Sequence, residues 1–321
     1  MADGIDGKTL GELGEFGLIR EIVARFPQGE QVLVGPGDDA ALLRIRNGHV
    51  VVSTDLLVEG RHFRQDWASA RDIGHRAAAQ NLSDLNAMGG TAHSLTLGIA
   101  APAELPAAWV LDFATGFAEE AALVGASVVG GDVTRADSIV IAVTVMGSVL
   151  QAPVLRSGAQ PGDVVAMIGR QGWAAAGLAV LGRGFRSPRA VVAAYQRPEP
   201  PYAAGPAAAA AGATSMIDIS DGLLSEAEHL AHASGVHLDI DTSALEIPEP
   251  FQAVGMALNV DPSTFVLSGG DDHALLATFP TWVPLPEGWI PIGTVAEAGE
   301  LGARVSVDGT AYDGPTGWTH F

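Results

Sequence analysis

Met216-Ile217-Asp218-Ile219-Ser220-Asp221-Gly222 sets two carboxylates and a hydroxyl beside a glycine, just ahead of a segment whose apolar spacing predicts a helix to about Ala233. The same chemistry recurs in both directions along the chain. It is found in Gly35-Pro36-Gly37-Asp38-Asp39, Ser53-Thr54-Asp55, Asn81-Leu82-Ser83-Asp84, Gly130-Gly131-Asp132 and Ser268-Gly269-Gly270-Asp271-Asp272. Hard cations such as magnesium take oxygen ligands of this kind, together with substrate phosphates. Lys8 is the only lysine. A chain that handles polyphosphate with carboxylates instead of lysines must carry its positive charge as metal ions.

The bulk numbers bound the class. With 321 residues and 48% hydrophobic content, the composition is globular and long enough for two domains. The punctuation changes at Arg156–Asp163, which puts the boundary near Gln151, with an N-terminal domain over 1–150 and a C-terminal domain over 151–321. No apolar run approaches the roughly 20 residues of a membrane span, so no membrane association is expected. Met1–Asp6 carries neither a basic nor an apolar leader segment. Cysteine is absent, which excludes disulfides, thiolate metal sites and cysteine nucleophiles and fits a cytoplasmic enzyme. The formal net charge of −20 argues against nucleic acid as a partner.

The periodicity predicts helices over 12–26, 70–88, 107–124, 173–181 and 203–213, and strands over 40–46, 49–53, 93–99, 127–129, 139–149, 164–169 and 237–240. Asn47-Gly48 suits a hairpin turn. On the 70–88 helix, Ile73, Ala77, Asn81, Asp84 and Met88 share a face, so Asp84 lies on or beside an inward stripe, where a lone carboxylate is costly unless paired or metal-bound.

No G-x-x-x-x-G-K-[ST] loop, no kinase glycine loop with a following lysine and no H-E-x-x-H motif is present. What remains is an oxygen-ligand set: Asp39, Asp55, Asp84, Asp132, Asp218 and Asp221, with Ser53, Thr54 and Ser220 able to add hydroxyl or carbonyl oxygens. Any one of these motifs read alone is a turn or a helix cap. Carboxylates that converge raise one another's pKa unless a cation lies between them, so five such motifs without a lysine alternative point to metal binding.

Taken in order, Gly14–Ile19, Gly35–Asp39, Ser53–Asp55, Asn81–Leu85, Gly130–Arg135, Arg156–Ala159, Ile217–Gly222 and Gly317–Phe321 resemble the thiamine-monophosphate kinase family over about residues 12–321. The resemblance implies an α+β, two-domain aminoimidazole ribonucleotide synthetase-like fold, with the N-terminal sheet pairing across a homodimer and ATP in a cleft between protomers. It implies ATP-dependent phosphorylation of thiamine monophosphate to thiamine diphosphate. Carried over by motif, Asp39, Ser53, Thr54, Asp55, Asp84, Asp132, Asp218 and Asp221 would hold several Mg2+ ions. Gly131, Asp132, Arg156 and Ser220 would meet ATP, and His62, Asp271 and Trp318 would meet thiamine phosphate. No protein base is implied, because the acceptor phosphate, with a second pKa near ~6, is already largely dianionic at neutral pH.

The chain departs from the family pattern at two neighbouring positions. The usual Ser-Gly-Gly-Glu-Asp reads Ser-Gly-Gly-Asp-Asp, and His273 stands where tyrosine is common. Aspartate is one methylene shorter, so a direct substrate contact from residue 271 would become water-mediated. Relatives on the same fold that rely on a reactive cysteine or a C-terminal cysteine do not match this cysteine-free chain. A magnesium-dependent phosphohydrolase and a non-catalytic cation-binding protein are the readings outside kinases.

Overall fold

The computed structural model describes residues 7–34, 42–45, 48–299, 302 and 304–318. The chain divides into two compact units, Met1–Leu85 with Thr91–Val149, and Asn86–Gly90 with Leu150–Phe321.

The N-terminal unit runs α1 (Leu10–Leu13), α2 (Glu15–Val23), β1 (Val32–Val34), β2 (Leu42–Leu43), β3 (Val51–Val58), α3 (Ala70–Ala87), β4 (Gly90–Ala101), α4 (Ala107–Leu123), β5 (Ser127–Arg135) and β6 (Val140–Val149). The helix expected over 12–26 is two helices. It breaks at Gly14, whose positive φ no helix accommodates, and a capping box between Thr9 and Glu12 starts the first. The expected turn at 35–39 and the residues around Asn47 lie outside the described residues.

Four strands form one sheet in the order β3-β6-β4-β5. β6 alternates strictly, and Ile141, Val143 and Val145 are fully buried on one face. Helix α3 lies on that face, since a Cβ on Gly147 of β6 would meet the Leu85 side chain. On α4, Trp109, Phe113 and Phe117 stack in sequence along the helix. Two sequence expectations are corrected here. Thr54 and Asp55 sit in the middle of β3, not at a strand end, and Gly130-Gly131-Asp132 lies inside β5 instead of following a short strand.

The C-terminal unit runs β7 (Val164–Ile168), α5 (Trp173–Gly182), α6 (Arg189–Gln196), α7 (Ala204–Ala211), β8 (Ser215–Asp218), α8 (Leu223–Ser234), β9 (Val236–Ile240), α9 (Glu249–Leu258), α10 (Ser263–Ser268), β10 (Leu275–Phe279), β11 (Ile290–Glu297) and β12 (Arg304–Val307). Its mixed six-stranded sheet has the order β12-β9-β11-β7-β10-β8. One core cluster joins Leu223, Ala227 and Leu230 of α8 to Leu238, Leu276 and Ile292 of the sheet. A second sets Ala204 and Ala208 of α7 against Leu275, Ala277 and Phe279. Small residues on α7 and continuous apolar runs in the central strands fit a sheet covered by helices. Among the described residues no helix is long and apolar enough to cross a membrane.

Asn86, in the last turn of α3, belongs to this second unit. Its buried amide accepts from Gly205 N–H at 2.9 Å and donates to the Pro201 carbonyl at 3.1 Å, which fixes the start of α7. Asn86→Ala leaves the Gly205 N–H buried without its acceptor and should destabilise the fold by about 1–3 kcal/mol, read as a lowered urea midpoint; an unchanged midpoint would show that the bond carries no weight.

Candidate active site

In the N-terminal unit, β3 aims Ser53, Asp55 and Leu57 to the helix side of the sheet by its two-residue period. Ser53 Oγ donates to Asp84 Oδ2 at 2.6 Å. Asp55 N–H donates to Asn81 Oδ1 at 3.2 Å, while Asn81 Nδ2 donates to the Ala77 carbonyl at 3.0 Å. Asn81 is fully buried and ties the strand to α3, so Ser53, Asp55 and Asp84 are fixed on one side. Thr54 points the opposite way, where its hydroxyl bonds Thr144 Oγ1 at 2.8 Å. The strand therefore does not bring the Thr54 hydroxyl to the side that carries Ser53, Asp55 and Asp84.

Gly131 and Asp132 lie on β5, and β6 and β4 separate β5 from β3. The β4–β5 register slips after Leu95↔Val128, and pairing resumes at Thr96↔Gly130, so Val129 is the extra residue of a bulge. A Cβ at position 131 would stand 1.9 Å from the Leu97 carbonyl oxygen. Glycine there is a condition of strand pairing, and it brings Asp132 to an exposed edge, where its Oδ1 accepts from Val133 N–H at 2.9 Å. After β3, His62 folds back so that its Nδ1 accepts from Val58 N–H at 2.9 Å. In the neutral ring the proton is then on Nε2, which becomes the outward donor.

In the C-terminal unit three loops are stitched together by main-chain bonds. Asp271 N–H donates to the Ser220 carbonyl at 2.8 Å, Ile219 N–H to Ala274 at 2.8 Å, Ser225 N–H to Thr316 at 3.1 Å and Trp318 N–H to Asp221 at 2.9 Å. The approach is close: a Cβ on Gly270 would stand 2.0 Å from the Ser220 carbonyl oxygen. Asp218, Ser220, Asp221, Asp271 and Trp318 are therefore neighbours, with the Trp318 ring half exposed. Arg156 is exposed on a turn whose carbonyl accepts from Ser234 Oγ at 3.1 Å.

Sequence reasoning did not single out Glu226. It lies buried on α8, and its Oε1 accepts from Asp221 N–H at 3.2 Å and from Ser220 Oγ at 3.3 Å. Burial pushes its carboxyl up to about 7, the Asp221 N–H bond opposes this, the charges of Asp218 and Asp221 add to the rise, and Arg156 offsets part of it. The signal was present as an acid within the apolar stripe Leu223, Ala227, Leu230.

Among the described residues no three histidine or acidic side chains converge as a ready chelate. The expected convergence of six carboxylates is not formed there, and Asp39 lies outside the described residues. The donor set still fits magnesium. Ser53, Asp55 and Asp84 offer hard oxygens on one side of β3, and the mutual repulsion felt by Glu226, Asp218 and Asp221 is what a divalent cation offsets.

Two family models cover most of the chain: AIR synthase related protein, N-terminal domain, over residues 37–149, and AIR synthase related protein, C-terminal domain, over 160–282. They define an α+β fold of two AIR synthase-related domains. The thiamine-monophosphate kinase of Mycobacterium tuberculosis is 45% identical over 98% of this chain and 94% of its own length. The crystal structure of the thiamine-monophosphate kinase from Stenotrophomonas maltophilia matches with 32% identity and a TM-score of 0.80, over 92% of this chain and 96% of that one. The structure of AaThiL complexed with AMPPCP and TMP matches with 31% identity and a TM-score of 0.79, over 98% and 100%. The chain belongs to the thiamine-monophosphate kinase family.

Asp272 anchors the Gly269–His273 turn. It is 2% exposed, its Oδ1 accepts from Ala174 N–H at 2.9 Å at the start of α5, and its Oδ2 has no hydrogen-bond partner among the described residues. Burial drives its carboxyl up to about 7, against the pull of the α5 amides. A raised folded-state pKa means the folded chain holds the proton more tightly, so this contribution to stability is present below about pH 4 and is lost as pH rises to 7. Asp272→Asn keeps an acceptor for Ala174 and should remove that loss, on the order of 2–4 kcal/mol. Urea unfolding of both proteins across pH 4–8 checks it; parallel pH profiles would refute it.

Proposed function

We propose that this chain phosphorylates thiamine monophosphate to thiamine diphosphate with ATP, by direct in-line transfer at a site holding several magnesium ions. The observation that carries the reading is the match over almost the whole chain to a relative complexed with AMPPCP and TMP. It is joined by two sets of oxygen donors standing at the family's motif positions.

Magnesium would be held by Ser53, Asp55 and Asp84 in one unit, by Asp218 and Asp221 in the other, and by Thr54, Asp39 and Asp132, and would supply charge neutralisation between two polyanions. The chain's own residues bind and orient. Arg156 suits bidentate contact with ATP phosphates, and the family's motifs assign Gly131 and Ser220 to ATP as well. The family's motifs assign His62, Asp271 and Trp318 to the thiamine phosphate: His62 Nε2–H would donate to it, and the half-exposed Trp318 indole is suited to stack on a thiamine ring. An acceptor phosphate oxygen forms the new P–O bond as the bond from the γ-phosphorus to ADP breaks. The acceptor arrives largely as the dianion, so no proton has to be removed by the protein.

A homodimer accompanies this reading. On the face of β3 opposite the helices, Val52 is 58% exposed and Leu56 55% exposed, an apolar strip that a second copy of the sheet would cover.

The test is product analysis of the purified protein with ATP, magnesium and thiamine phosphate, beside a sample lacking thiamine phosphate. Equal amounts of ADP and thiamine diphosphate are expected. ADP without thiamine diphosphate would replace the kinase by a phosphohydrolase. Asp55→Asn keeps the volume and the backbone bond to Asn81 but removes a ligand charge. It should lower kcat by about a hundredfold or more with an unchanged urea midpoint, and near-wild-type turnover would remove Asp55 from the metal set. His62→Ala should raise KM for thiamine phosphate more than KM for ATP; equal effects on the two would sink its assignment.

A further inference from the structure

The turn that carries Asp271 also carries His273, and the two have the same unusual backbone. Asp271 has φ 69° and His273 has φ 54°, both left-handed and neither a glycine. Such conformations persist where the surroundings over-determine them, and they gather at functional sites. Here the surroundings are the Asp272 side chain on α5, the Asp271 bond to Ser220 and the Ile219 bond to Ala274. The result is that His273 Nδ1 stands 3.2 Å from Asp218 Oδ2, with the two residues only 4% and 5% exposed. An ionised carboxylate can only accept, so this bond requires the proton on Nδ1.

We propose that His273 is a positioning residue for Asp218: its Nδ1–H occupies Oδ2 and fixes the rotation of the carboxylate that would hold the cation. The inference rests on the reading of Asp218 as a magnesium ligand. β8 and β10 pair Asp218 with Leu275, so the histidine reaches the carboxylate from the adjacent strand's entry, two residues upstream. The substrate-side carboxylate and the metal-side carboxylate are thereby referenced to one rigid turn. Outer partners of metal ligands commonly govern metal affinity by 10- to 100-fold, roughly, through this kind of orientation.

Two substitutions separate the hydrogen bond from the backbone. His273→Gly accepts the left-handed conformation and removes the donor, while His273→Asn tolerates the conformation and places an amide N–H near the position of Nδ1. Mn2+ is titrated into the full chain with AMPPCP present, and free Mn2+ is read by electron paramagnetic resonance. His273→Gly and Asp218→Asn should each weaken Mn2+ binding by about 10- to 100-fold, and His273→Asn should stay near wild type. Weakening in Asp218→Asn with none in His273→Gly overturns the role of His273 and leaves Asp218 a ligand. No weakening in Asp218→Asn overturns the ligand reading itself. If His273→Gly does not fold, the wild-type chain decides. Nitrogen-15 spectra of labelled histidine, with His273 assigned from His273→Asn, should show Nδ1 protonated, and an unprotonated Nδ1 overturns the proposal.

Discussion

Carboxylates that repel one another must be held by something other than their charges, and in the C-terminal unit that support is the main chain. The bonds from Asp271 to Ser220, Ile219 to Ala274 and Trp318 to Asp221 fix three loops before any side chain is considered. Each is a backbone pair, so it does not depend on pH. Around this frame Asp218, Asp221 and Glu226 are packed closely enough for Glu226 to be pushed up to about 7, first by burial and then by its neighbours' charge. A more compliant loop would relax that repulsion by moving apart. The stitched loops hold the three carboxylates where they are.

The N-terminal unit solves the same problem by pairing a strand with a helix. Asn81 uses both ends of its amide, one on the Asp55 backbone and one on the Ala77 carbonyl, so the carboxylates of β3 and α3 are indexed to each other by a buried, neutral group. A neutral bridge adds no charge to a region that already holds Asp55 and Asp84. Strand alternation then decides which groups can act together. Ser53 and Asp55 share a side, and Thr54 is turned to the face that carries Val52 and Leu56.

Much of this was legible in the sequence where the determinants are local. The α3 stripe and the alternation of β6 follow from spacing within one segment, and the structure places both elements within a residue or two. What could not be read is non-local. Strand order put Asp132 and Asp55 on opposite edges of one sheet, and nothing within either motif encodes that separation. The sidedness of Thr54 required knowing that β3 continues to Val58 instead of stopping before it. The burial of Glu226 depends on what α8 packs against, which spacing within the segment does not encode. Only its place in an apolar stripe hinted at it.

The two departures from the family pattern find a common physical account in the turn at 269–273. Residues 271 and 273 are the two non-glycine positions of this turn with positive φ. Aspartate, asparagine and histidine are several-fold enriched in that region, because a short polar side chain can bond to the nearby backbone. Glutamate and tyrosine lack that advantage. Aspartate at 271 therefore relieves the backbone at the expense of reach, and histidine at 273 relieves it while setting a ring nitrogen 3.2 Å from Asp218. The pair of changes is coherent if the rigidity of this turn matters more than the length of either side chain. The buried Asp272 between them, with an oxygen lacking a hydrogen-bond partner among the described residues, shows how much unfavourable burial the fold tolerates to keep the turn in place.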